Sequence, residues 1–162
     1  MGTTRNSKSE HRSKAQYQEG TLTDVPRILL ADDQKEMLRV VKLILSDDFT
    51  VVGTVYDGMR AIELAASLHP DVLVLDISMP GTNGIEAACY LKEHGSEVRV
   101  IFLTVHSDPE FVEAALSAGA LGYVLKASLT TDLVPAIRAA MRGSIFISRS
   151  NEQPTDERQL HL

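Results

Sequence analysis

The sequence has one cysteine, Cys89, in 162 residues. That excludes an internal disulfide and any zinc site built from a cysteine cluster. It leaves Cys89 to be read as a small core residue, and a reducing, cytoplasmic setting is the expectation. No apolar run is long enough to span a bilayer, and the N-terminus has no apolar segment of the kind a secretory signal carries. A basic excess is also missing: 16 Lys and Arg stand against 22 Asp and Glu, a formal net charge of −6. Broad binding of nucleic acid needs a basic face, so direct nucleic-acid binding is not expected. The same charge is compatible with a small acidic cation site. Internal repeats and low-complexity tracts are absent. The composition is that of a soluble globular protein, at a length that suits one domain with a substantial core.

What is present is alternation. Residues 1–26 are polar, carry both signs of charge and lack apolar periodicity, and read as a disordered arm. Arg27 to Ala31 reads as a first strand closed by Asp32-Asp33, with a helix from about Gln34 to Leu45. Thr50 to Val55 reads as a second strand, and Asp57-Gly58 turns the chain into a helix that stops near His69-Pro70. Val72-Leu73-Val74-Leu75 is an unbroken apolar run of strand length, the mark of a strand covered on both faces. It ends in Asp76 and breaks at Pro80-Gly81.

Asn83-Gly84 starts a helix with Ile85, Ala88, Cys89 and Leu91 inward, ending near Gly95. Val98 to Leu103 is a fourth strand ending at Thr104, followed by a helix opened by Ser107-Asp108-Pro109-Glu110 and closed at Gly119. Leu121 to Leu125 is a fifth strand ending at Lys126. Thr131-Asp132 opens the last helix, with Pro135 placed in or near its first turn. The domain is thus expected over 27–143, with a tail over 144–162. Within that tail Ile145 to Ile147 can form a short extended piece, and the chain is expected to be loose from Ser148 onward.

Strict strand–helix alternation with short connections implies right-handed crossovers and a parallel sheet covered by helices. The expected fold is α/β, a doubly wound (βα)5 flavodoxin-like sheet of strand order 2-1-3-4-5, with its ligand crevice at the carboxyl ends of the strands. Four of the five strands end there on polar residues: Asp32-Asp33, Asp76, Thr104 and Lys126. Three carboxylates in one crevice repel one another and stay ionised together if a divalent cation joins them. Oxygen ligands with room for water and phosphate suit Mg2+. Lys126 can grip one oxygen of an anion and Thr104 another, which would stabilise a phosphoryl group travelling in line to a carboxylate. Asp76, on the central strand, is the natural acceptor. Each residue also has a plainer reading: Asp32-Asp33 as a helix cap, Asp76 as a turn cap, Lys126 as a solvated strand end, Thr104 as a loop cap.

Ile28 to Asp33, Val72 to Gly81, Leu103-Thr104 and Gly122 to Ala127 together resemble the signature pieces of the response-regulator receiver domain of two-component signalling. Gly119 to Lys126 and Ala136 to Gly143 are similar to the NarL/FixJ-type subgroup, whose members usually continue into a helix-turn-helix domain. The resemblance implies a phosphorylation-dependent switch that accepts a phosphoryl group on Asp76 from a sensor histidine kinase or phosphotransfer protein. It implies Mg2+ at Asp32, Asp33 and Asp76, with the backbone carbonyl of Ser78 as a further ligand. It makes Lys126 the phosphoryl partner, Thr104 the switch hydroxyl and Tyr123 the switch aromatic that swings inward. It also implies a readout by one of three routes: a homodimer through the fourth-helix, fifth-strand, fifth-helix face or another receiver face, docking of an output domain, or a separate partner. The short tail suggests either a receiver taken from a longer transcriptional regulator or a stand-alone one. His106, two residues after Thr104, is either a plain loop histidine or one that hangs over the site and modulates water access.

A multiple-turnover metabolic enzyme is not expected. The competing enzyme class is a Mg2+-dependent aspartyl-phosphate phosphohydrolase, which in the haloacid-dehalogenase type would show Asp-x-Asp where this chain has adjacent aspartates. A degenerate receiver used only as an interaction surface is the third reading, and it would ordinarily have lost part of the acid, Thr and Lys set.

Overall fold

The structure is a computed structural model and describes residues 25–150. Nearly all of the expected N-terminal arm, and the tail beyond Ser150, lie outside the described residues. Five strands come in the expected places: β1 (Arg27–Ala31), β2 (Thr50–Val55), β3 (Val72–Leu75), β4 (Arg99–Thr104) and β5 (Gly122–Leu125). Between and after them lie α1 (Lys35–Leu45), α2 (Gly58–Leu68), α3 (Gly84–Glu93), α4 (Pro109–Ser117) and α5 (Leu129–Met141). A sixth short strand, β6 (Phe146–Ile147), pairs in parallel with β5, and the sheet order is β2-β1-β3-β4-β5-β6. The short extended piece expected at Ile145 to Ile147 is therefore part of the sheet, beyond the expected domain end at Gly143.

The apolar runs explain the layering. Successive strand residues point to opposite faces, so each central strand must be apolar on both. Ile28, Leu30, Val72, Val74, Ile101 and Leu103 pack with α1 and α5 on one side, against Leu38, Val41, Leu133 and Ile137. Leu29, Ala31, Leu73, Leu75 and Phe102 pack with α2, α3 and α4 on the other, against Ala61, Ala65, Ala88 and Ala115. The small alanines of these three helices let them lie close to the sheet.

Two helix starts differ from expectation. Neither aspartate after β1 caps α1. Gln34 occupies the N-cap position without a side-chain cap bond, and Asp32 Oδ1 instead accepts from the Gln34 N–H at 2.8 Å, an Asx-type turn. The last helix starts at Leu129, two residues before the expected Thr131, because a single 3-10 turn at Lys126–Ser128 leads straight into it. Leu129 is buried in the α1/α5 layer, which favours the earlier start. Pro135 consequently lies inside the helix and not in its first turn. Its missing N–H leaves the Thr131 carbonyl without a helical partner, and Thr131 and Pro135 are both exposed, so water can serve it.

Two glycines fix the loop that follows β3. Asn83 and Glu86 form a capping box at the start of α3, with bonds of 2.8 Å and 3.0 Å. The Gly84 N–H donates to the Ile77 carbonyl at 2.8 Å, so the helix start is pressed against the backbone of Asp76 and Ile77. A Cβ on Gly84 would overlap the Asp76 carbonyl oxygen and lie 2.9 Å from its carbonyl carbon. A Cβ on Gly58, at the start of α2, would overlap the Thr82 carbonyl in the same loop. Gly84→Ala is expected to destabilise the fold by about 1–3 kcal/mol, because rigid backbone must shift to admit the methyl group. Leu43→Ala, at an α1 position 71% exposed, should change stability by no more than about 0.5 kcal/mol. Urea denaturation of both variants checks the contrast.

Candidate functional site

The sheet itself positions the acids. The Asp32 N–H donates to the Val55 carbonyl of β2 at 3.1 Å, and the Asp76 N–H donates to the Ala31 carbonyl of β1 at 3.0 Å. Each aspartate thus continues the ladder one residue past its own strand, at the switch point where β1 lies between β2 and β3. Asp32 and Asp76 are 3% and 5% exposed, whereas Asp33 is exposed. Carboxylate oxygens of Asp32, Asp33 and Asp76 lie within 4.8 Å of one another. Lys126, the first residue after β5, reaches into the same crevice. Its Nζ lies 2.9 Å from Asp32 Oδ2 and 3.0 Å from Asp76 Oδ2. The other Asp76 oxygen, Oδ1, is buried without any hydrogen-bond partner.

The electrostatics follow from this packing. Burial pushes the Asp32 carboxyl above the usual carboxylate range. The Lys126 and Gln34 hydrogen bonds oppose that shift without cancelling it, and the Asp76 charge adds to it. Burial on its own would lower the Lys126 ammonium. The hydrogen bonds and charges of Asp32 and Asp76 outweigh it and hold the lysine above its ordinary value. A buried polar atom left unpaired costs on the order of 1–3 kcal/mol. Asp76 Oδ1 therefore has unused capacity for a cation or a phosphoryl group, beside two further carboxylates that offer oxygen ligands.

Thr104 is the last residue of β4 and is fully buried; its Oγ1 accepts from the His106 N–H at 3.3 Å. Thr104 and Lys126 line one cleft of about 380 Å3. Tyr123 is 1% exposed, and its hydroxyl donates to the His106 carbonyl at 2.6 Å. Tyr123 is thus buried, with its hydroxyl fixed on the loop after β4. His106 stacks on Phe111 at a centroid distance of 4.3 Å, and its Nε2 lies 2.8 Å from Ser78 Oγ. The loop after β3 and the loop after β4 are therefore tied together by side chains two residues beyond Asp76 and two beyond Thr104. This specific pairing was not visible in the sequence, where Ser78 and His106 were separate loop residues.

Gly84 and Gly58 were likewise legible only as turn formers, since nothing local reveals which backbone they will touch. Ser148, expected to be loose, is instead 7% exposed. It accepts from the Leu125 N–H at 3.2 Å and donates to Asp132 Oδ2 at 2.6 Å. No sequence signal marks it apart from the short apolar pattern just before it.

Strand order and the place of the acidic crevice define a flavodoxin-like α/β domain with its polar pocket at the topological switch point. Residues 28–138 match the family described as the response regulator receiver domain, and the chain belongs to that family. Members of this family are signalling switches. The chain is 40% identical over 125 residues to the nitrate/nitrite response regulator protein NarL of Escherichia coli strain K12, covering 76% of this chain and 58% of NarL. It is similar to the crystal structure of a LuxR-family two-component response regulator from Aurantimonas sp. SI85-9A1, with a TM-score of 0.76 and 30% identity, covering 85% of this chain and 99% of that one. It is also similar to the isolated REC domain of RcsB from Salmonella enterica serovar Typhimurium solved with phosphomimetic BeF3-, with a TM-score of 0.71 and 30% identity, covering 78% and 95%. The chain spans a little over half the length of the curated relatives it matches. Among the described residues no helix is long and apolar enough to cross a membrane.

The buried tyrosine gives a pH test. Burial, followed by the charges of Asp108 and Asp76, pushes the Tyr123 phenol from 10.0 up to about 12. Between those values the folded chain holds a proton that the unfolded chain has lost, so stability falls as pH rises through that window. Below pH 10.0 the group adds no slope. Tyr123→Phe should flatten this part of the alkaline stability profile, and the slope that remains there should come from Lys126. Thermal unfolding of wild type and variant across the alkaline range measures the difference.

Proposed function

We propose that this chain is a phosphorylation-dependent switch in which Asp76 accepts a phosphoryl group from the phosphohistidine of a sensor histidine kinase or phosphotransfer protein. The observation that carries the reading is the Asp76 carboxylate itself: buried, with Oδ2 on Lys126, Oδ1 unpaired, and Asp32 and Asp33 alongside. In the transfer, the N–P bond of the donor breaks and an O–P bond forms at Asp76. The charge to be handled is that of the phosphoryl oxygens and of three neighbouring carboxylates.

The residues present fit a divalent cation. Three carboxylates with oxygens within 4.8 Å of one another, two of them buried and the set balanced by a single lysine, leave negative charge uncompensated in the crevice. Asp33 and Asp76 would hold Mg2+ directly, with Asp32 beside them and the Ser78 backbone carbonyl as a further ligand. Bound there, the cation supplies charge neutralisation for the incoming phosphoryl oxygens. The chain does the rest. Lys126 already stands 3.0 Å from the acceptor carboxylate and can follow a phosphoryl oxygen as charge builds up there. Thr104, at the end of the neighbouring strand, offers its hydroxyl to another. Its present partner is the weak 3.3 Å bond from the His106 amide, which is readily exchanged.

An acyl phosphate carries about −1.5 to −2 charges and strong acceptor oxygens. Drawing Lys126 and Thr104 toward it changes the ends of β4 and β5, and with them the face formed by α4, β5 and α5. Tyr123 reports that change through its bond to the His106 carbonyl. The reading extends to a transcription regulator whose DNA-binding segment lies outside this sequence, and to the α4–β5–α5 face as the surface offered to that segment or to a second copy. This chain would turn over no metabolic substrate of its own.

Incubation with Mg2+ and acetyl phosphate should add one phosphoryl mass to the wild-type chain. The adduct should be absent from Asp76→Asn and from samples stripped with EDTA. No adduct on folded wild type, or the same adduct on Asp76→Asn, would remove Asp76 as the acceptor. Repeated hydrolysis of a simple phosphomonoester would instead favour the phosphohydrolase class.

A further inference from the structure

The sheet does not end at β5. Segment Ser144–Ser150 turns back from α5 and lays β6 along the β5 edge, with the Phe146 N–H donating to the Leu121 carbonyl at 3.0 Å and the Ser148 N–H to the Tyr123 carbonyl at 2.8 Å. An exposed edge strand is a ready template for a further strand, and here the chain fills it with its own exit segment. Phe146 packs on the α1/α5 layer, while Ile145 and Ile147 stay exposed.

Ser148 is the fixed point of this segment. It is a buried hydroxyl with both of its hydrogen-bonding roles in use, donating to Asp132 on α5 and accepting from the Leu125 amide. Leu125 immediately precedes Lys126, whose ammonium lies between Asp32 and Asp76. The exit segment is therefore bonded to Tyr123 and Leu125 of β5, the latter being the last residue before Lys126. Ser150 also lines the 380 Å3 cleft that Thr104 and Lys126 line. A second cleft, of about 280 Å3, runs between Ser148, Tyr123 and the start of α4.

We propose that Ser148 is a latch that holds the exit segment on the β5 edge and couples its attachment to the position of Lys126. Lys126 and the Leu125 amide share one stretch of backbone, so a main-chain shift of Lys126 that follows its ammonium toward a larger negative charge at Asp76 also moves the Leu125 amide. The 3.2 Å bond from the Leu125 amide to Ser148 is the longest of the three that hold this serine, and it yields first. The segment then loosens from β5. The trigger rests on the reading of Asp76 as phosphoacceptor; the latch itself does not. Ser148 acts through Leu125 and is a positioning residue.

Residue-resolved amide hydrogen exchange on the full chain tests both parts. In Ser148→Ala the amides of Leu125, Phe146 and Ser148 should exchange about fivefold faster or more, the scale of one lost hydrogen bond. Leu29 and Val74, in the central strands, should keep their protection and report an intact fold. Unchanged exchange at Leu125 and Ser148 overturns the latch. With Mg2+ and beryllofluoride, and binding followed separately by fluorine resonance, Phe146 and Ser148 should speed up in wild type and show no further change in Ser148→Ala. Bound fluoride with unchanged exchange overturns the coupling and leaves the receiver reading standing. If no fluoride binds, that reading fails, and Asp76→Asn decides the coupling, because it removes one of the two carboxylates on Lys126. Altered exchange at Leu125 and Ser148 then upholds the coupling, and unchanged exchange overturns it.

Discussion

Lys126 Nζ lies 2.9 Å from Asp32 and 3.0 Å from Asp76, and this three-way contact ties three strands together at one point. Asp32 extends β1, Asp76 extends β3 and Lys126 leaves β5, so the ammonium joins segments far apart in sequence. Burial makes the contact strong and exacting. It raises the cost of every charge in the crevice, holds the Asp32 carboxyl above its usual range, and makes the lysine the compensation for both buried acids. The arrangement is incomplete by one partner, because Asp76 Oδ1 remains buried and unpaired. A site that concentrates negative charge and leaves an acceptor oxygen free is poised to change when charge is added to it. A fully satisfied cluster would have no such response.

The scaffold around that contact limits where the response can go. The loop carrying Asp76 is held from below by Gly84 and from the side by Gly58, positions where any side chain would strike backbone. The β3 side therefore leaves no room for a side chain at either position. On the β4 and β5 side hydrogen bonds add to the buried packing of Thr104 and Tyr123: Thr104 is bonded by the His106 amide, Tyr123 by the His106 carbonyl, and Leu125 by Ser148. Around Asp76, close backbone contacts at Gly58 and Gly84 stand beside polar contacts at Thr104, Tyr123 and Leu125.

Much of this was legible in the sequence, because strands covered on both faces must be apolar at every position. Val72 to Leu75 and Ile101 to Leu103 announce themselves, and the first polar residue after each run marks the carboxyl edge of the sheet. Asp32, Asp76, Thr104 and Lys126 could therefore be gathered into one crevice before any distance was known. What stayed hidden depends on contacts between distant segments. Ser148 reads as part of a polar tail until β6 is seen beside β5. The early start of α5 depends on burying Leu129 in a layer that includes residues from α1. The Ser78–His106 contact joins two loops that only the assembled sheet brings together. Glycine types at 58 and 84 were visible, but the carbonyls they accommodate were not.

The central claim is that one carboxylate, and only that one, takes the phosphoryl group. An acyl phosphate on aspartate is reduced by borohydride to homoserine, which marks the acceptor covalently. The most direct measurement is to phosphorylate the chain, reduce it, and locate homoserine by fragment mass spectrometry. Homoserine at position 76 alone is the result the account predicts. Homoserine at Asp32 or Asp33, or a phosphoryl adduct that survives with no homoserine anywhere, would contradict it.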